Sequence, residues 1–431
     1  MISDVLCEEL VGPHLGVLAH VADVAGEPDD FDLFLCGGTL ANTSPLGGAE
    51  APRACSGAGL IREDARQACV GEGVERYCAA FERPHRVVFG TTRDLDGDVV
   101  SPKQFALFSD AQHRAPISDF PFRKWTAEDL LGWVKARRLG GTKEAWVPAY
   151  SVQHPYQQRA EEPLVAPSFS TGLACGENRE DATLRALCEV IERDAVALSW
   201  LGNVSAPHVS PADAVSSSDA GYIIAEAQQR GFRIALLNLT TSLGIPVAGV
   251  LLGGHSSVGN IVSFGASAGV TLSGALRKAL IEAAHGRAYV RFLRRQQPGW
   301  RASRGFRNVS GFAEHALFHS VHSEHGAALN VWWNGPHVQP LAETPPMTLA
   351  EILHRLESHG LHAYAVEMTT PDVAELGLCV MRVVVPGLQP LHGNHLWPHL
   401  GGNRLQRLST VFPGGVTANT SFPNRIPHPC P

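Results

Sequence analysis

The pentad Glu-x-x-Glu-Arg occurs twice, as Glu72-Gly73-Val74-Glu75-Arg76 and as Glu189-Val190-Ile191-Glu192-Arg193. At ordinary residue frequencies about 0.1 such matches are expected in a chain of this length, so the recurrence points to a shared requirement. Three- and four-residue spacing on a helix puts both acids and the guanidinium on one face. Around the second copy, Asp181, Arg185, Glu189, Glu192 and Arg193 fall on one arc of a helical wheel, and Leu184, Leu187, Ile191 and Leu198 fall on the opposite one. A solvated face laced with ion pairs is the bland account of such a helix. The recurrence weighs against it, as does a third helix bearing Glu282, His285 and Arg287 around an Ala-rich turn. Carboxylates gathered from three helices repel one another unless a cation lies between them. Hard oxygen ligands suit Mg²⁺, which takes few carboxylates and completes its shell with water and substrate phosphates. Arginines alongside grip phosphate oxygens bidentately. The residues therefore predict a Mg-nucleotide or Mg-phosphate site, in a chain with neither a Walker loop nor a Gly-x-Gly-x-x-Gly fingerprint.

The elements that must hold these residues follow from periodicity and punctuation. A small-residue stretch, SPLGGAEAPRACSGAG, precedes a helix expected over 62–81, and Gly172 and Gly176 mark a tight entry to a helix over 179–201. Helices are expected near 213–230, over 272–294 and over 349–359, with strands at 232–239, 246–252, 260–266, 361–368 and 378–385. Two modules look alike, GFRIALLNLTTSLGIPVAGVLLGG from Gly231 and GLHAYAVEMTTPDVAELGLCVMRVVVPG from Gly360. Both read helix, glycine, strand, Thr-Thr turn, strand. Helices mixed with short-turn strand pairs predict an α+β fold with antiparallel and mixed sheets.

Composition bounds the function. With 431 residues and 44% hydrophobic content the chain can bury a large core. A net charge of -7 without a basic block argues against nucleic acid and against an electrostatic membrane binder. Acids stand where a secretory signal would be basic, and no apolar run is long enough to span a bilayer, so a cytoplasmic location is expected. Nine cysteines without a Cys-x-x-Cys pair predict reduced, buried thiols.

On these residues the chain resembles the YcaO family. The resemblance rests on EGVERYC at 72–78, STGLACG at 170–176 leading into CEVIERDA, ALRKALIEAAHGR at 275–287 and VMRVVVPGLQP near the end, in the family's order. It implies a YcaO-type fold with Mg-ATP held among three helices, a homodimer, and activation of backbone amides of ribosomal precursor peptides by phosphorylation of the amide oxygen. Carried over by position, Glu72, Glu75, Glu189, Glu192 and Glu282 become metal ligands. Arg76, Ser170, Asp181, Arg193, Lys278, His285 and Arg287 become nucleotide contacts. Ser170 falls in a Ser-Asn-Gly turn, here Ser-Thr-Gly. His285 stands where glutamine is usual and Lys278 where arginine is usual. Ala58 replaces the lysine of a Gly-Lys-Gly turn, and Ala68 a serine one turn before Glu72, which removes two contacts to the nucleotide.

The chain ends Pro427-His428-Pro429-Cys430-Pro431. Alternating prolines enforce an extended strand with little entropy left to lose on docking. Taken alone this reads as a linker-like end. Its likeness to the endings of azoline-forming members implies that Pro427, Pro429 and Pro431 bring the tail to the reacting amide. Expected domains are an irregular segment at 1–55, a catalytic domain at 56–420 and the tail at 421–431. Residues 1–50 are too few and too irregular for a leader-binding module, so a ThiF-like or winged-helix partner protein is expected beside the precursor peptide. The favoured activity is azoline formation at Cys, with Ser and Thr as further acceptors. Thioamide or amidine formation on the same fold, and a non-catalytic scaffold, are the alternatives. His315, His319, His322 and His325 share a helical face at metal-ligand spacing, and His392, His395 and His399 cluster later. Both runs are expected to be ordinary core or surface histidines. The basic run RFLRRQQPGWR from Arg291 is expected to be a solvated helix end.

Overall fold

The computed structural model describes residues 4–82, 86–105, 107–117, 119–417 and 422–431, and the chain divides into two units. Unit 1 comprises residues 1–25, 34–190 and 349–388. Its first layer is an antiparallel sheet of Leu18–Val24, Phe34–Leu40 and Ala54–Gly59. Helix Arg62–Ala80 packs across it. Small residues permit that approach, since a Cβ on Gly57 would stand 2.1 Å from the Ala65 carbonyl oxygen. Segment 1–55 thus contains two strands where irregular chain was expected. Gly37 and Gly38 hide the strand pattern, and at Gly38 the packed helix leaves no room for a side chain; a Cβ there would meet the Cys55 and Cys69 sulfurs at 2.7 and 3.0 Å. Ala58, read as a turn position, lies in the strand opposite Leu35.

The second layer of unit 1 is a seven-stranded sheet. In order across it run Asp98–Val99, Glu144–Pro148, Leu131–Arg138, Tyr364–Glu367, Cys379–Val384 and Leu173–Gly176, and Val87–Gly90 also pairs with Leu131–Arg138. Every pairing is antiparallel except that of the short strand Asp98–Val99. A single core of small and branched side chains, among them Cys69, Val70, Val74, Val147, Cys175 and Val380, is shared by the helix and both sheets. The first half of helix Arg179–Leu201, through Val190, completes the unit.

Unit 2 comprises residues 26–33, 191–348 and 389–431. Its five-stranded sheet is built on the hairpin Val247–Ser256 and Gly259–Ala268, where Gly259 takes the left-handed turn position at φ 97°. Helix Leu272–Gln296 begins at Thr271, whose hydroxyl accepts from the Gly274 amide at 3.1 Å. It packs flat on the hairpin, and a Cβ on Gly265 would stand 2.4 Å from the Ala283 nitrogen. The run from Arg291 ends as the solvated helix end expected, with residues 295–299 exposed, while its first arginine is buried: Arg291 pairs with Asp30 and Glu27, and Arg295 pairs with Glu27.

The two look-alike modules are real and lie in different units. Each has a helix, a glycine of positive φ (Gly231 at 67°, Gly360 at 72°) and an antiparallel strand pair. The helix expected near 213–230 is broken into Pro211–Ser217 and Tyr222–Gln229. Ser218 turns extended there and its hydroxyl accepts from the Ala220 amide at 3.1 Å, the local competition by which serine interrupts helices. All nine cysteines are free thiols, and all but the half-buried Cys188 are buried. Among the described residues no helix is long and apolar enough to cross a membrane.

Candidate functional site

In unit 1 the acids converge from two helices onto strands Ala54–Gly59 and Leu173–Gly176 and the entry turn of the latter. Glu72 and Glu75 project from helix Arg62–Ala80, and Glu189 from helix Arg179–Leu201. Each carboxylate has one oxygen fixed by a backbone amide: Glu72 accepts from Ser56 at 2.7 Å, Glu75 from Cys175 at 2.8 Å and Glu189 from Gly172 at 2.9 Å. Arg76 also donates to Glu72, at 2.6 Å, closing the i,i+4 pair of the first pentad. Asp181 is engaged by Arg185 at 2.9 Å. The turn itself admits only glycine at 172. Its φ is 87°, and a Cβ there would lie 2.2 Å from the Val383 carbonyl oxygen.

Burial dominates the electrostatics of this cluster. It raises the Glu72 carboxyl above its ordinary value, against the opposing pull of Arg76 and the Ser56 amide. It pushes Glu75 up to about 8, and the neighbouring Glu189 and Glu72 charges add to the rise. Three like-charged, oxygen-only donors held by rigid backbone contacts match what Mg²⁺ takes from a protein, so these residues fit the ion.

Beneath the turn lies a residue that sequence reasoning passed over. Arg382 is fully buried in strand Cys379–Val384 and donates to the carbonyls of Ser170 at 2.5 Å, Phe169 at 2.6 Å and Ser151 at 3.0 and 3.1 Å. It fixes the Ser170 backbone, while the Ser170 side chain is exposed. Burial draws its guanidinium down to about 10, and the Glu189 charge opposes that shift. A lone arginine inside the apolar run 378–385 was the available signal.

In unit 2 the second half of the Glu189 helix carries Glu192, largely buried, and Arg193, whose Nε lies 3.5 Å from a Glu192 oxygen. Asp194 follows, fully buried, held bidentately by Arg404 at 3.0 and 2.7 Å and by the Gln389 amide at 2.7 Å. On helix Leu272–Gln296, Lys278, Glu282 and His285 share one face, and Glu282 accepts from the Ala266 amide at 3.3 Å. Arg287 does not join them. It is fully buried, donates to the carbonyls of Gly254 at 3.1 Å and of His255, and lies over the Phe232 ring. Two residues beyond His285 is about 200° around the helix, which turns Arg287 into the core.

Tail residues 427–430 are buried. Side chains donate to successive tail carbonyls: His395 to Arg425 at 3.1 Å, Trp200 to Ile426 at 2.9 Å, His319 to Pro427 at 2.8 Å and His315 to His428 at 3.2 Å. Burial pushes the Cys430 thiol up to about 12, with Arg193 and Glu192 acting on it in opposite directions. Within unit 2 the end of the chain therefore sits beside the acid-base pair of the second pentad.

Residues 56–389 match the family model described as YcaO cyclodehydratase, ATP- and Mg²⁺-binding. The chain belongs to the YcaO family. ATP and Mg²⁺ are the cofactors of that family. Among solved structures, this YcaO chain superposes on a heterocyclase in complex with substrate and cofactor with a TM-score of 0.69 and 20% identity, over 92% of this chain and 52% of that one. YcaO from Methanopyrus kandleri bound with AMPPCP and Mg²⁺ gives 0.60 at 20% identity, over 86% of each chain. The E. coli microcin synthetase McbBCD complex gives 0.60 at 15% identity, over 91% and 96%. These establish the fold. An uncharacterized protein of Methanothermobacter thermautotrophicus is 28% identical over 44% of this chain and 45% of its own length. One from Rhizobium leguminosarum bv. trifolii, encoded in a tfuA 3' region, is 35% identical over 41% and 43%. The match thus spans less than half the length of these relatives.

Proposed function

We propose that the chain is an ATP- and Mg²⁺-dependent cyclodehydratase that converts Cys of a ribosomal precursor peptide, with Ser and Thr as further acceptors, into azolines. The observation that carries this reading is the convergence of Glu72, Glu75 and Glu189, each with one oxygen fixed by a backbone amide. These three would hold Mg²⁺, Glu72 through the oxygen it shares with Arg76, and the family resemblance assigns the same role to Glu192 and Glu282. Arg76, Ser170, Asp181, Arg193, Lys278 and His285 are proposed nucleotide contacts; Arg287 drops out, its donors spent on carbonyls of its own unit. Bound Mg-ATP supplies the phosphoryl group that turns the former amide oxygen into a leaving group. The chain's own contribution is positioning and charge neutralisation. Residues 427–430, with Pro427 and Pro429 limiting their freedom, place Cys430 near Arg193 and Glu192 and would bring Pro431 to the reacting amide.

A precursor peptide and a leader-binding partner protein, ThiF-like or winged-helix, complete the proposed system, with a homodimer as the working assembly and the cytoplasm as its place. The test is the mass of the cognate precursor after incubation with the chain, its partner and ATP. Loss of one water per modified residue is expected, and exchange of oxygen for sulfur without water loss would overturn azoline formation. Glu192→Gln is expected to abolish ATP-dependent water loss, and unchanged turnover would remove Glu192 from the site.

A further inference from the structure

Helix Phe312–Val321, the loop after Gln389 and the C-terminal tail each send one histidine into the same buried spot of unit 2: His315, His392 and His428. All three are at most 3% exposed, and one ring nitrogen from each lies within 4.8 Å of one from each of the others. In His315 and His428 hydrogen bonds fix which nitrogen is the lone-pair donor. His315 Nδ1 is 3.2 Å from the His428 carbonyl oxygen, so it carries the proton, and its Nε2 is buried with no hydrogen-bond partner. His428 Nε2 donates to the His392 carbonyl at 2.9 Å, which leaves its Nδ1 as the acceptor of a long contact, 3.3 Å, from the Cys430 amide. His392 Nδ1 is likewise buried without a partner. A buried imidazole nitrogen left unsatisfied is costly, and two of them in one cluster call for an occupant.

We propose that His315, His392 and His428 form a binding site for a borderline divalent transition metal of the zinc class, separate from the carboxylates of unit 1. Imidazole suits Zn²⁺, Co²⁺, Ni²⁺ or Cu²⁺ and not Mg²⁺, whose ligands are oxygens. In His315 and His428 the nitrogen away from the lone pair donates to a backbone carbonyl, the outer contact that orients a metal-binding imidazole and fixes its tautomer. Burial holds all three rings neutral, which is the ligand form. His395 is the next ring, 5.7 Å from His315 between centroids, but it stands outside the set of nitrogens within 4.8 Å of one another, so the fourth position is left to water. With Zn–N bonds of about 2.0–2.1 Å, tetrahedral ligand nitrogens lie about 3.4 Å apart. Loading therefore draws the three inward and parts the His315 and His428 rings, whose centroids stack at 3.7 Å. Because His428 belongs to the tail, the ion ties residues 427–431 to helix Phe312–Val321.

The test uses the full chain, untagged and stripped of metal, titrated with Co²⁺ in excess Mg²⁺. One equivalent bound, with the visible absorption of four-coordinate Co²⁺ and displacement by Zn²⁺, is expected. His315→Ala and His392→Ala should each weaken binding at least a hundredfold, while His319→Ala, on the same helix but outside the trio, should not. If the alanine variants do not fold, ¹⁵N resonances of the wild-type imidazoles decide. Zn²⁺ should shift the lone-pair nitrogens of His315 and His428, and amide exchange of residues 425–431 should slow. Absence of saturable binding, unchanged affinity in both variants, or imidazole resonances insensitive to Zn²⁺ would overturn the site and leave a neutral, hydrogen-bonded core.

Discussion

The acidic cluster of unit 1 and the imidazole cluster of unit 2 are products of one force acting on opposite chemistries. Burial disfavours charge in both. For the carboxylates the neutral form is the protonated one, so Glu75 is pushed up to about 8 and must lose a proton before it can bind a cation. For the imidazoles the neutral form is the unprotonated one, so His428, drawn down to about 3, is ready to bind at any physiological pH. The lesson is that a cation proposed for the acids would have to displace a proton, while the imidazoles are already in their ligand form.

The largest expected effect separates the two. Glu75→Gln should lower ATP-dependent peptide modification by about a thousandfold, the scale of losing a charge-stabilising group, with cobalt binding at the histidines intact; simultaneous loss of both would refute their independence. Next in size is Arg382→Met, which leaves the carbonyls of Ser151, Phe169 and Ser170 without their donor. A loss of about 3 kcal/mol in denaturant unfolding is expected, and a change within about 0.5 kcal/mol would show that the Ser170 turn stands without Arg382.

The pH dependence sharpens the comparison further. A carboxyl raised in the folded state stabilises it fully below the ordinary value near 4.5, and that contribution is lost as pH rises toward 8. The metal-free chain should therefore lose stability across this window, and Glu75→Gln should flatten the decline. Mg-ATP affinity should rise over the same window, with proton release seen as a buffer-dependent binding enthalpy in calorimetry. A flat profile would mean that Glu75 is already ionised. The smallest effect is expected for His319→Phe, which removes one hydrogen bond to the tail at Pro427 and should cost about 1 kcal/mol. Proteolysis of residues 425–431 should become faster, and an unchanged rate would show that the other three donors hold the tail alone.

Much of this was legible in the chain. The helix over 179–201 was found to the residue because its glycine entry and apolar stripe are local signals. Strand Phe34–Leu40 was missed, since Gly37 and Gly38 erase the alternation by which strands are read, and Gly38 is where helix Arg62–Ala80 comes close. Arg287 and Arg382 exchanged places for a related reason. One stood next to acids in sequence and the other alone among valines, yet the direction of each side chain gave Arg287 to its own core and Arg382 to the Ser170 turn.

By itself the sequence determined the acidic pentads, the helices that carry them and the kinship that follows, because three- and four-residue spacing fixes which side chains share a helical face. Tertiary structure alone decided the histidine trio. His315 came from one run set aside as ordinary, His392 from the other, and His428 from the tail, 113 residues from His315. No local period relates positions that far apart. Only the packing of the tail against helix Phe312–Val321 brings their nitrogens within reach of one ion.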